Sequence, residues 1–342
     1  MNRTAILALL ILCPAGPAAA AGTAALPFLK LDQGAAAAAM GGAYCASGGG
    51  DAWGVFYNPA EAALAARREL ALGHNEWVQG IRNETAVYLS PLSGGAALYG
   101  GLNALFSGGM DKYDEAGAKT GTFSSREAAL LAGGALPLGR DWYGGAALKG
   151  LYQAIPGETG YALGGDAGLL KRAGDWTFGA SASNFGSAMK LASASAPLPL
   201  VLRAGAAWEL PGRLRLEADL VKPGESAVAP AAGAEASFRA GPDAEFFLRA
   251  GFSGGRSDLA GPGAALGLGL RNGDLRLDYA FSPYGDLGDS HRVTVALTFG
   301  APVRGKAAVR RAVPARRPAR GGKTGNERKK RKEEDGSVYF IW

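Results

Sequence analysis

Cysteine and histidine are nearly missing from this chain. Its 342 residues include two of each. Cys13 lies in what reads as a removable leader, which leaves Cys45 alone. A lone cysteine makes no internal disulfide and no zinc or redox motif, so it reads as a small buried residue. His74 and His291 stand apart, and no Ser/His/acid spacing accompanies them. Asp289, Ser290 and His291 together read as a loop-to-strand corner rather than a catalytic set. There is no metal-ligand cluster and no phosphate-cradling loop, and "GLGLRNG" reads as a strand and hairpin. The expectation is a protein that is no enzyme and needs neither cofactor nor metal. Long apolar runs are also lacking. Beyond the leader none approaches the 18 residues of a membrane-spanning helix. Charged residues make up 19% of the chain, below the usual quarter.

The leader itself is a secretory signal over 1–21. Asn2-Arg3 is its charged end, Ala5 to Leu12 its apolar core, and cleavage falls near Ala20 or Ala21. A transmembrane anchor is the alternative, but the run is short and Pro14 and Pro17 interrupt it. Bulky Leu12 before Cys13 makes a poor lipoprotein signal. Charge is unevenly placed. After residue 300 there are 13 Lys+Arg and 4 Asp+Glu, a net of +9 out of the chain's +6, which leaves −3 for residues 1–300. The body is mildly acidic and the tail basic.

What is abundant is glycine, with 54 residues, and a period-two pattern. "RLRLEADL" sets Leu214, Leu216, Ala218 and Leu220 on one face, with Arg213, Arg215, Glu217 and Asp219 on the other. "DLRLDYAF" and "RVTVALTF" repeat it, and this is the strand signal. About fourteen such segments, each about 9 to 12 residues, run from 69–77 to 289–299, the length of a tilted membrane-crossing strand. The Gly- and Ala-rich ones, such as 94–106 and 262–272, are individually weak. Tight turns such as "PLGRDW", "KRAGDW" and "RNGDL" alternate with longer links at 107–121, 186–196, 222–229, 253–262 and 283–290. Trp142, Trp176, Trp208 and Phe246 lie beside tight turns. Trp77, Phe106, Tyr152, Phe185 and Tyr284 lie near the long links, as two interfacial girdles would.

The pattern predicts an all-β fold, a transmembrane antiparallel β-barrel of about fourteen strands at 67–300, in the outer membrane of a Gram-negative-type cell with both termini periplasmic. A secreted soluble β-sandwich or barrel is the alternative, because alternation alone does not say which face is inside. In a membrane barrel the lumen receives Arg203, Glu209, Arg213, Arg215, Glu217, Asp219, Glu245, Arg249, Arg276, Asp278 and Arg292. Both signs occur on neighbouring segments and can pair across strands.

Residues 22–66 differ from the rest. "LDQGAAAAAMGGAYCA" predicts one short helix ending at Gly41-Gly42. "DAWGVFYNPAEAAL" adds an Asn-Pro-Ala turn, in which Asn58 caps a helical start and Pro59 has no N–H to lose. The run 30–65, with Met40-Gly41-Gly42-Ala43, Asp51-Ala52 and Asn58-Pro59-Ala60, resembles the N-terminal signature of the PorV/PorQ family of outer-membrane proteins, itself similar to the FadL fatty-acid transporters. "DYAFSPYGDLGDSHRVTVALTFG", 278–300, resembles that family's last hairpin. Gly48 to Gly50, where the family is more acidic, and the tail after 300 depart from it. The resemblance implies a fourteen-stranded barrel whose N-terminal segment is a helical hatch closing a lumen too wide for strand side chains to fill. A helix that merely precedes the first strand is the plainer alternative.

By that resemblance, the expected function is a non-enzymatic partner in protein secretion at the outer membrane, with loop 107–121 as its contact surface. The alternative is a FadL-like channel for hydrophobic small molecules such as fatty acids, against which the mixed-charge lumen speaks. The expected partners are outer-membrane lipid, the barrel-assembly machinery, and exported proteins, secretion components or a hydrophobic small molecule. No nucleic acid is expected. The tail 301–342 reads as a basic disordered segment suited to peptidoglycan, acidic headgroups or an acidic protein, or as a solvated spacer. Its end, "GSVYFIW", resembles a barrel-assembly signal or a strand offered to a partner.

Overall fold

The computed structural model describes residues 24–224, 226–255 and 261–303. The leader at 1–21 and nearly all of the tail at 301–342 lie outside them. Eighteen strands occur among the described residues, in chain order β1 to β18. Fourteen close into one antiparallel barrel: β1 (Arg68–Glu76), β2 (Arg82–Pro91), β3 (Ala97–Phe106), β6 (Arg126–Gly139), β7 (Trp142–Ile155), β8 (Glu158–Ala173), β9 (Trp176–Gly186), β12 (Val201–Leu210), β13 (Leu214–Pro223), β14 (Ala229–Ala240), β15 (Ala244–Ser253), β16 (Ala264–Asn272), β17 (Leu275–Pro283) and β18 (Asp289–Phe299). Each pairs with its neighbours in sequence order, and β18 pairs back on β1, Arg68 opposite Phe299, to abolish the free edges. The expected count of fourteen holds. An even count brings both barrel ends of the chain to the rim that carries the tight turns.

Two of the expected long links are more ordered than loops. Within 107–125 lies a hairpin, β4 (Met110–Tyr113) with β5 (Lys119–Phe123), and within 187–200 another, β10 (Met189–Leu191) with β11 (Ala194–Ala196). Nor is the tight–long alternation strict. Only Pro156 and Gly157 join β7 to β8 at the long-link rim, because these two strands, 14 and 16 residues long, close their own ladder almost to its end.

The outward face settles the side left open by alternation. Leu148 and Leu163 are 77% and 72% exposed, and Leu130, Leu266, Leu268, Phe246 and Phe252 also stand outward. The charged faces point in. Trp176 and Trp208 stack outside the tight-turn rim, centroids 5.1 Å apart. A large, continuous apolar exterior on a closed sheet is a surface for lipid, not for water.

Inside the barrel runs the N-terminal segment. Helix α1 (Ala35–Ala39) is wholly buried and packs against β15, β16 and β17. It ends at Met40, with Gly41 and Gly42 at φ 69° and 77°, the left-handed ending that the sequence predicts. Two short 3-10 turns follow, Ala52–Phe56 and Pro59–Leu64.

Candidate functional site

The plug is held by its polar corners. Asn58 caps the second turn, its Oδ1 accepting from the Ala60 N–H at 3.1 Å. Its Nδ2 donates to the Cys45 carbonyl at 2.8 Å and to the Leu169 carbonyl in β8 at 3.0 Å. A Cβ on Gly168 would stand 2.0 Å from Asn58 Oδ1, and one on Gly145 would stand 2.5 Å from the Pro59 backbone. The Asn-Pro-Ala turn therefore lies directly on the barrel backbone, and only glycine leaves room there. On the opposite wall a Cβ on Gly251 would stand 2.2 Å from Gly41 N. The glycine-rich strands that look weak in sequence are the plug's seats.

Acidic groups tie down the plug's other backbone donors. Asp51 Oδ1 caps the first turn, accepting from Gly54 N at 3.0 Å, and its Oδ2 accepts from the Tyr44 hydroxyl at 2.6 Å. Glu61, with no exposed surface, accepts from Gly48 N at 2.8 Å and Gly50 N at 3.3 Å. Burial pushes its carboxyl up to about 7, against the pull of those two N–H groups. From the wall, Asp219 Oδ2 accepts from both Tyr44 N and Cys45 N at 2.9 Å. Burial, with Asp219 next in weight, pushes the Cys45 thiol up to about 12.

The inner wall has two unlike halves. On β12–β18 it is charged. Arg249 lies between Glu235 at 2.6 Å and Asp278 at 2.8 Å, and Arg276 reaches Asp278 at 2.7 Å and Asp51 at 3.7 Å. The guanidinium groups of Arg249, Arg271 and Arg276 surround the Phe247 ring at 4.9 to 5.3 Å. Arg215 pairs with Glu217 and stands over the Tyr44 ring, and Arg203 stands 5.3 Å from the Tyr57 ring centre. Arg292 is buried in the same half. On β2, β3 and β6–β8 the inner wall is mostly apolar. Val87, Leu89, Tyr99, Leu131, Tyr143 and Leu170 pack on Trp53, Val55 and Ala60 of the plug. Nearer the long-link rim Leu105, Ala129, Leu151 and Ala162, with Met189 and Leu198, pack on Leu26 and Phe28.

The structure therefore brings Met40, Gly41, Gly42, Asp51, Asn58, Pro59 and Ala60 into the lumen, against the wall. Of the charges assigned to the lumen by alternation, two stand exposed at the tight-turn rim, Glu209 near the end of β12 and Arg213. Arg213 lies in the β12–β13 turn at φ 65°, 39% exposed by side chain, and reaches Glu245 at 2.9 Å from the rim. Tight turns end the period-two rule one residue earlier than the alternating letters suggest. Ser290 and His291 face opposite sides of the wall: Ser290 Oγ donates to Asn75 Oδ1 inside at 2.7 Å, and His291 Nδ1 lies 2.9 Å from the Tyr279 hydroxyl outside. Among the described residues no group of three or more His, Cys, Asp or Glu side chains is placed to hold a metal. Sequence reading missed Glu61, Tyr44 and Tyr57 of the plug and the buried pair Lys149–Asp166. Lys149 was legible in principle, because its parity in "GGAALKGLYQ" is that of Ala147 and Leu151.

The chain is thus a closed antiparallel barrel of fourteen strands, apolar outside and stopped by its own N-terminal segment, and its barrel matches solved FadL-like outer-membrane channels in fold. Among solved structures the chain is similar to the monoaromatic hydrocarbon channel CymD (14% identity, TM-score 0.54, 78% of this chain and 97% of that one). It is similar to the toluene transporter TbuX of Ralstonia pickettii (14%, 0.55, 80% and 100%). It is also similar to a FadL homologue of Pseudomonas aeruginosa (11%, 0.51, 78% and 97%). At these identities the likeness is one of fold. No protein-family model and no curated sequence matches the chain.

Proposed function

We propose that this protein is an outer-membrane channel for a hydrophobic small molecule, closed at rest by its N-terminal plug. The observation that carries the reading is the segregated lumen. One half of the inner wall is mostly apolar, and the chain's own Leu26, Phe28, Trp53 and Ala60 cover it. The other half anchors the plug by charge. A mixed-charge lumen argues against a greasy path only if the charges are spread around the wall, and here most lie on one side, with Glu127 and the Lys149–Asp166 pair the buried charges of the other. The sequence alone put a PorV/PorQ-type secretion partner first. The likeness of fold to hydrocarbon and toluene channels supports the channel instead. In this reading the tight-turn rim, with Arg68 and Phe299, faces the periplasm and the hairpin β4–β5 faces outward.

The test is uptake of the fluorescent probe N-phenyl-1-naphthylamine by cells that carry the protein in an intact lipopolysaccharide outer membrane, which by itself holds the probe out. The Asn58→Ala variant, with its plug loosened, is expected to admit the probe faster than the native protein. Uptake equal to that of cells lacking the protein, for both proteins, would sink the channel reading.

A further inference from the structure

Between the two apolar clusters of the inner wall lies a single buried ion pair. On β7 the inward positions run Tyr143, Gly145, Ala147, Lys149, Leu151, so Lys149 interrupts an otherwise apolar or small-residue row. Its Nζ lies 2.7 Å from Asp166 Oδ2 on β8 and donates to Asn184 Oδ1 on β9 at 2.6 Å. Asn184 N in turn donates to Asp166 Oδ1 at 2.8 Å. All three residues are buried. The backbone is bent to make this network. The β8–β9 register shifts between Gly165 and Ala167, and Asn184 takes the left-handed φ of 62°. A bulge of this kind aims a side chain at a defined place. Among the described residues Lys149 is the one buried cation on the inner wall of β2, β3 and β6–β9.

We propose that the Lys149–Asp166–Asn184 network restricts this lumen to uncharged apolar molecules and rejects carboxylates. The inference rests on the channel reading. A fatty-acid carboxylate entering the apolar half would leave its hydration behind and need a cation there. The one available is already neutralised by a fixed carboxylate and held by the Asn184 amide. The entering anion would meet Asp166 as a like charge in a poorly solvated site. A neutral molecule meets no such opposition, because the pair presents no net charge and has its polar atoms engaged with one another. Asp166 is thus a specificity-determining residue through its charge, and Asn184 a positioning residue for it.

The experiment is native mass spectrometry of the detergent-solubilised full chain, titrated separately with decanol and with decanoate at a pH where decanoate is ionised. The native protein is expected to retain decanol and not decanoate. Asp166→Asn, which leaves Lys149 without its counter-ion, is expected to bind decanoate roughly tenfold or more tightly than the native protein does, with decanol unchanged. Lys149→Gln combined with Asp166→Asn removes both charges and is expected to return decanoate to the native level. Native protein that retains decanoate as well as decanol overturns the proposal without any variant, so a poorly folding Asp166→Asn does not shelter it. Decanol retained by every variant with no decanoate gain in Asp166→Asn also overturns it and leaves the channel reading standing. Retention of neither molecule by any protein counts against the channel reading itself.

Discussion

The side-chain amide of Asn58 donates to the carbonyl of Leu169 at 3.0 Å, joining plug to wall across 111 positions of sequence. The residue before Leu169 is glycine, and a Cβ there would stand 2.0 Å from Asn58 Oδ1. Anchor and seat are therefore adjacent residues of one strand, and disturbing either should release the same corner of the plug.

Gly168→Ala forces that corner off the wall. A cost of roughly 1–3 kcal/mol is expected, as for overpacking of a close-packed interior. Gly150→Ala, where an added Cβ meets nothing within 4 Å, is the control. Melting temperatures in detergent should fall for Gly168→Ala and stay put for Gly150→Ala. Equal melting of both variants would show that the plug does not bear on the wall at this point.

Cys45 reports on the same motion. It is buried and its thiol is pushed up to about 12, so alkylation should be slow in the folded protein. Peptide-resolved mass spectrometry after maleimide treatment should find Cys45 unmodified in the native protein and labelled in Gly168→Ala. Rapid labelling of the native protein would mean that the plug opens freely.

Asp219→Ala deprives Tyr44 N and Cys45 N of their shared acceptor. Each buried N–H left alone costs roughly 1–3 kcal/mol. The plug should then become a protease target while the barrel persists as a heat-modifiable band on gels. A plug as resistant as the native one would deny Asp219 its anchoring role.

Glu61 gives the plug a pH dependence. Its carboxyl stands at about 7 in the folded plug against 4.5 when free, so the folded state holds the proton more tightly. The contribution to stability is full below the free value and is lost as pH rises through the folded one. Across that window docking should weaken by up to roughly 1.4 kcal/mol per pH unit. The melting temperature should fall accordingly from about pH 5 to about pH 8, and Glu61→Gln should flatten the slope. A native slope that Glu61→Gln leaves unaltered would assign the titration to another group.

Much of this architecture was legible in the sequence because it is local. Period two marks strands wherever a wall separates two media, so fourteen strands and their charged faces, Arg249 and Asp278 among them, could be counted one segment at a time. The Asn-Pro-Ala turn and the Gly41-Gly42 helix end were legible for the same reason, since capping and left-handed φ are decided within a few residues. Alternation also erred locally, at Arg213, where a turn ends the strand.

Only the tertiary structure decided which face of the wall is inside and where the charges gather. Lys149 and Asp166 are 17 positions apart in different strands, and their network with Asn184 includes a bulge at Asn184, opposite Asp166, that no period shows. The glycines at 145, 168 and 251 look like weak points of strands until the plug backbone is placed against them. Whether a residue faces another medium is written in its neighbours along the chain. Which partner it meets there depends on barrel closure and on the path of the plug, and those are set by contacts between residues far apart in sequence.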